Sequence, residues 1–204
     1  RDVQVDGMTE AWRLKMTSWF DQLAESCELS QETLSIATNY LDRYLSVESC
    51  CSQRFQLASV AAIFLASKVE EARPFKTTDF ETLSDGAFTP VHVRFMELEL
   101  LCTLRWRLHP PTVQSFIHLL CVLVDDSMDQ DTVAAAALRL ARQSRPRIQF
   151  VQYPPSMIAV ASILCALKTL DVDASIVADW MNTINECCEF SYSSLPQASE
   201  LVTR

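Results

Sequence analysis

The sequence predicts an all-α protein made of two tandem five-helix units, each wrapped around a buried central helix. Three observations carry that prediction. Only 2 of the 204 residues are glycine, Gly7 and Gly86, where average usage of about 7% would give about 14; two-residue glycine turns of β-hairpins are therefore scarce. Apolar residues recur at three- and four-residue steps, without the sustained alternation of strands. The chain also echoes itself. Displaced by one hundred positions, SVAAIFLASK (Ser59 to Lys68) lies over AVASILCALK (Ala159 to Lys168), with Val60/Val160, Ala61/Ala161, Ile63/Ile163, Ala66/Ala166 and Lys68/Lys168 identical.

The elements follow in order. Thr9 to Ser26 places Trp12, Met16, Trp19, Phe20 and Leu23 on one helical stripe. SQETLSIATNYLDRYLS begins the second helix with a capping pattern, Ser30 followed three residues later by Thr33. The third helix, within LASVAAIFLASKVEE (Leu57 to Glu71), is apolar or small on nearly every face and so is the one its neighbours surround. Thr77 to Ser84 is a short fourth helix, and Thr89 to Leu104 a fifth with Val93, Met96, Leu100, Leu101 and Leu104 on one stripe. The prolines of His109-Pro110-Pro111 stop it and force an extended link, dividing the chain into residues 1–108 and 109–204.

The second unit answers with Thr112 to Val124, Thr132 to Arg145, the echo around Ala159 to Lys168, and Asp173 to Thr183. Its last expected helix, Phe190 to Thr203, is weak and interrupted by Pro196, so it is read as shortened or truncated.

Composition excludes several functions. With 49% hydrophobic residues the chain buries a sizeable core. Its net charge of -9 opposes general nucleic-acid binding, which draws affinity from basic residues on phosphates, and favours a protein partner. No apolar run reaches the roughly 18 residues of a membrane span, and RDVQVDGMTE lacks the order of a signal peptide, so an intracellular protein is expected. The eight cysteines, with Cys50-Cys51 and Cys187-Cys188 adjacent, form no metal-ligand spacing with the isolated His92, His109 and His118; they are read as reduced packing residues. VDDSMDQD (Val124 to Asp131) lacks the glycine and closing glutamate of a calcium loop, where Gln130 and Ala136 stand, and is read as a loop capping the next helix. Glycine-rich phosphate loops and nucleophile elbows cannot be written with two glycines. No cofactor, metal or catalytic constellation is expected.

The ending of the third helix is harder to explain. Lys68 complements the negative end of the helix dipole, but Glu70 and Glu71 sit at that same end, where carboxylates are slightly unfavourable. A partner or a crossing helix would account for them.

RLKMTSWF (Arg13 to Phe20), NYLDRYLS (Asn39 to Ser46), FQLASVAAIFLASKVEE (Phe55 to Glu71), MELELLCTLRW (Met96 to Trp106) and PPTVQSFI (Pro110 to Ile117), in that order and spacing, resemble the cyclins. The second half resembles the family mainly in helix pattern. The resemblance implies a non-catalytic regulatory subunit that binds and allosterically activates a cyclin-dependent serine/threonine kinase in cell-cycle control, in the nucleus or cytoplasm. RWRL after MELELL looks closer to the D type, which implies G1 or G1/S. Arg13 and Asp42 match the family's internal salt bridge. Lys68 and Glu97 match the pair that hydrogen-bonds the kinase main chain, and Leu65, Val69, Leu101, Trp106 and Leu108, with Glu70 and Glu71 beside them, match the surface that buries a kinase helix. Leu65, Leu101 and Leu108 are also compatible with plain core packing. Trp12, Met16, Trp19 and Gln56 match a docking patch for kinase substrates or inhibitors, although Lys15 stands where an apolar residue is usual and Trp12 where a methionine is common.

The alternative is a cyclin-fold adaptor similar to transcription factor IIB, binding DNA or basal transcription proteins. Arg139, Arg142, Arg145 and Arg147 form a local basic run that suits it, but in a chain of net charge -9 the run is read instead as a solvated helix end with favourable dipole placement.

Overall fold

The computed structural model describes residues 9–84, 86–124, 129–187 and 195–203. The chain divides into two compact units, Arg1–Pro110 and Pro111–Arg204, and all regular structure among the described residues is helical.

In the first unit, α1 (Glu10–Cys27), α2 (Gln31–Leu45), α3 (Ser52–Glu70), α4 (Asp79–Leu83) and α5 (Pro90–Thr103) follow one another. Every residue of α3 from Ala58 to Ser67 is buried, with α1, α2 and α5 packed around it. Its small side chains make this possible: Ala58, Ala61, Ala62 and Ala66 are fully enclosed and let neighbouring backbones come close. The helix emerges at both ends, at Ser52, Gln53, Arg54 and Gln56 and again from Lys68. Phe80 of α4 is fully buried and edge-on to Phe64 and Phe75, which ties this short helix to α3.

Local signals set the helix starts. The Ser30 hydroxyl accepts the Thr33 amide at 3.0 Å. Thr89 caps α5 reciprocally, its hydroxyl accepting from the His92 amide while His92 Nδ1 accepts from the Thr89 amide, and Pro90 occupies the first turn, where its missing N–H costs nothing. The helix ends show what glycine scarcity requires. Glu28, Arg105, Trp106 and Asp171 all adopt positive φ near 55°, a left-handed conformation that costs a non-glycine residue about 1–2 kcal/mol.

The second unit contains α6 (Val113–Cys121), α7 (Gln130–Ser144), a 3-10 turn at Ile148–Gln152, α8 (Pro155–Thr169), α9 (Ala174–Cys187) and α10 (Leu195–Thr203). α8 is its buried axis, enclosed by α6, α7 and α10. Trp180 of α9 is buried and its indole N–H donates to the Leu120 carbonyl of α6 at 3.2 Å. Asp129 accepts from the Asp131 amide and the Thr132 hydroxyl, capping α7, and these bonds hold its carboxyl below the usual value; the rest of the acidic loop, 125–128, lies outside the described residues.

One sequence expectation is corrected here. Pro196 does not interrupt the last helix; it sits in the first turn of α10, where no intrahelical N–H is needed. The helix buries Leu195, Ala198 and Val202. Phe190, where the expected helix began, lies outside the described residues.

Candidate partner-binding surface of the first unit

A buried ion pair joins α1 and α2. Arg13 is 3% exposed and its guanidinium is ion-paired with Asp42. Burial pushes the Asp42 carboxyl up from its ordinary value while Arg13 opposes the shift. A pair this enclosed contributes little net stability while intact, but losing one partner leaves the other charge buried and uncompensated.

Lys68 and Glu97 come from different helices and meet at the surface. The Lys68 Nζ lies 2.6 Å from Glu97 Oε1, with side-chain exposures of 40% and 13%. The ammonium also stands 4.1 Å from the centroid of the Phe64 ring, a cation–π contact that holds it over apolar surface. Val69 beside Lys68, Leu101 one turn beyond Glu97, and Leu108 are half-buried, and Trp106, in the segment after α5, is 66% exposed. The pair offers a donor and an acceptor at the surface, over the Phe64 ring.

Two residues expected on this surface lie elsewhere. Leu65 is 3% exposed and belongs to the core, because α3 is enclosed on all sides from Ala58 to Ser67. Glu71 turns inward: its Oε1 accepts the Ser30 amide at 2.8 Å and the Thr33 hydroxyl at 2.5 Å. A carboxylate that is unfavourable at the end of its own helix thus serves the positive end of another, satisfying a donor that α2 leaves open. Glu70 remains exposed, and its carboxyl is pushed up by burial and by the neighbouring charges of Glu32 and Glu71.

Sequence reasoning missed the residues that shape the segment after α5. Arg105 and Trp106 are successive left-handed residues, φ 52° and 58°. Arg43 of α2 donates to the Leu104 and Arg107 carbonyls, both at 2.9 Å, and the Tyr40 hydroxyl donates to the Leu108 carbonyl. Burial pushes the Tyr40 phenol up to about 12. Beside them Tyr44 donates to Glu99 and receives the Arg54 Nε–H, while Arg54 also pairs with Glu99, which links α2, α3 and α5. All three α2 residues stand in NYLDRYLS; apart from Arg54, ten positions on, their partners lie 55 to 68 positions away, beyond any local pattern.

A separate groove of about 430 Å³ brings together Trp12, Lys15, Met16 and Trp19 of α1 with Gln56 of α3. Phe55 and Val60 of α3, and Leu83 and Phe88 flanking the α4–α5 connection, complete its apolar lining. Trp12 packs on Phe55 with ring centroids 5.7 Å apart. No group of metal-ligating side chains occurs among the described residues, and no described helix is long and apolar enough to cross a membrane.

Known proteins resemble this chain in architecture and in sequence. The family model described as "Cyclin, N-terminal domain" matches residues 2–109, and that described as "Cyclin, C-terminal domain" matches residues 111–203. A G2/mitotic-specific cyclin-B of Arbacia punctulata is 32% identical over 170 residues, 83% of this chain and 41% of the relative. The G1/S-specific cyclin-D1 of Mus musculus is 29% identical over 158 residues, 77% of this chain and 54% of the relative. The chain thus spans about half the length of these relatives. Among solved structures, a chain of the yeast RNA Pol II CTD kinase CTDK-1 complex superposes with a TM-score of 0.78 at 17% identity, over 98% of this chain and 68% of that one, a likeness of fold. With one family domain over each unit, and relatives of both mitotic and G1/S names, the chain belongs to the cyclin family.

Proposed function

We propose that the chain is a non-catalytic regulatory subunit that binds a cyclin-dependent serine/threonine kinase and activates it allosterically. The observation that carries this is the Lys68–Glu97 pair, which joins α3 and α5 at the surface; with it we group Val69, Leu101, Trp106 and Leu108 as the apolar part of the same face. Oriented polar groups set among large apolar anchors are how protein interfaces gain affinity and register. A kinase that alone favours an inactive arrangement would shift toward the active one by the difference in affinity of this surface for the two. Family membership and a structural neighbour from a kinase complex support the partner class. Phosphoryl transfer stays with the kinase, since two glycines cannot supply a nucleotide loop.

Within that role we place the chain at G1 or G1/S, on the strength of RWRL after MELELL, and in the nucleus or cytoplasm. The groove of Trp12, Met16, Trp19 and Gln56 serves as a docking patch for substrates or inhibitors of the kinase.

The test is binding of a purified cyclin-dependent kinase by the wild type and by Lys68→Ala/Glu97→Ala. Each charged hydrogen bond lost costs about 1.5–3 kcal/mol, so affinity should fall at least about ten-fold per bond with the fold intact by circular dichroism. Undiminished kinase binding by the folded double variant would remove the assignment.

A further inference from the structure

α5 is apolar on two opposite sides. Val93, Met96 and Leu100 face the core and are buried. At steps of four, three and four residues, Val91, Phe95, Leu98 and Cys102 form a second row turned away from it. That row is open to solvent: Val91 is 56% exposed, Phe95 71% and Leu98 54%, and Cys102 is an exposed free thiol. A helix that is apolar on both sides is ordinarily enclosed, and a contiguous exposed apolar row marks an interaction surface. The alternating four-three spacing is that of a coiled-coil seam, whose side chains enter gaps on a facing helix. Opposite charges border the middle of the row. Arg94, exposed, stands on the same edge as Leu101, and Glu99 stands on the other edge with His92. Arg94 forms no ion pair among the described residues. Tyr44 and Arg54 both bond Glu99 through Oε1, which leaves Oε2 to a further donor.

We infer that two copies of the free chain pair through these outward rows, α5 against α5, side by side in parallel. A strip with opposite charges on its two edges is complementary to itself in that arrangement. The Arg94 edge of one helix meets the Glu99 edge of the other, five residues further on, and symmetry makes the contact twice. An antiparallel pair would instead bring like edges together and set Arg94 against apolar Leu101. The net charge of -9 on each chain opposes approach at long range, but at physiological salt it is screened beyond about 8 Å. One helix of 14 residues gives a small contact, and small interfaces associate weakly and reversibly. Leu101, grouped above with the kinase-facing residues, borders the same row, so a kinase bound there excludes the second copy; the pairing itself does not rest on that reading.

Sedimentation velocity of the full chain alone, from about 1 to about 200 micromolar, tests the pairing. A monomer–dimer equilibrium should appear. Leu98→Glu should weaken it at least about ten-fold, the worth of one buried leucine side chain, and Arg94→Glu about three-fold, as for exposed charge pairs. Both side chains are exposed, so both variants keep the fold, which circular dichroism checks. The direction of the pair is read with copper–phenanthroline, which joins two thiols as a disulfide while dissolved oxygen takes up the two electrons and two protons. A parallel pair sets Cys102 against Cys102 of the second copy; an antiparallel pair sets it against Val91, about 16 Å away along the helix. Peptide mapping by mass spectrometry should therefore find the Cys102 peptide joined to itself in the wild type and not in Leu98→Glu. A chain that stays monomeric at every concentration, or a dimer that Leu98→Glu leaves intact, overturns the inference. A dimer that depends on Leu98 but never forms the Cys102 link overturns it as well, since the two helices are then not parallel.

Discussion

Glu71 shows how a side chain can look misplaced in one dimension and well placed in three. Judged by its own helix it opposes the dipole; in the fold it serves the N-terminus of α2, through the Ser30 amide and the Thr33 hydroxyl. The sequence signalled that something outside α3 must explain it, but not what, because the partner lies about forty positions upstream and only the α2–α3 packing brings it close. The consequence is measurable. Glu71→Ala should lower stability to urea by about 0.5–2 kcal/mol, the usual cost of losing a helix cap, with kinase affinity unchanged. A variant that loses kinase binding at unaltered stability would return Glu71 to the partner surface. Arg13 and Asp42 were legible by a different route: the family resemblance pairs them, whereas nothing in their spacing alone does. Leu65 was misplaced for the converse reason. Matching a position to a family surface does not reveal that the helix is still enclosed at that turn.

At the scale of elements, α2 holds the fold together. One stretch of it carries Asp42 toward α1, Tyr44 toward Arg54 and Glu99, and Tyr40 and Arg43 toward the segment after α5. That segment needs an external hold. Two successive non-glycine residues in the left-handed region cost about 1–2 kcal/mol each, and the planar Arg43 guanidinium, with charge-assisted bonds to two carbonyls, offsets such a cost. It thereby sets where Trp106 projects. Arg43→Lys should accelerate amide hydrogen exchange at Arg105, Trp106 and Arg107, and weaken kinase binding by about ten-fold, because a lysine cannot span both carbonyls with one rigid fork. Unchanged exchange at those amides would show that the segment holds itself. The helices themselves were largely legible, since caps such as Ser30 and Thr89 and the apolar stripes are local signals. Pro196 was misread because a proline's meaning depends on its distance from the helix start, and the weak apolar pattern gave no start.

At the scale of the whole molecule, two units share one plan, a buried small-residue helix enclosed by others, and differ at the end of that helix. α3 closes with Lys68, Glu70 and Glu71, each engaged by neighbours or set at the surface; α8 closes with Lys168, Thr169 and Leu170. The repeat in the sequence announced the common axis. It could not say that only the first axis ends in a paired lysine, because pairing depends on Glu97 of α5, a long-range partner. Among the described residues Lys168 is exposed and forms no ion pair. The two lysines are therefore an internal comparison: the same residue at the same position of a repeated helix, one with an oriented carboxylate beside it. If the pair is what grips the kinase, Lys68→Ala should weaken binding by about ten-fold or more, the worth of one charged hydrogen bond, while Lys168→Ala should leave it within about two-fold. Both substitutions remove an exposed side chain and a favourable charge at a helix C-terminus, so both should lower stability by about 0.3–1 kcal/mol, and the difference between them isolates the interface. Equal losses of kinase affinity would mean that the two lysines act only through their helices, and that the site is not confined to the first unit.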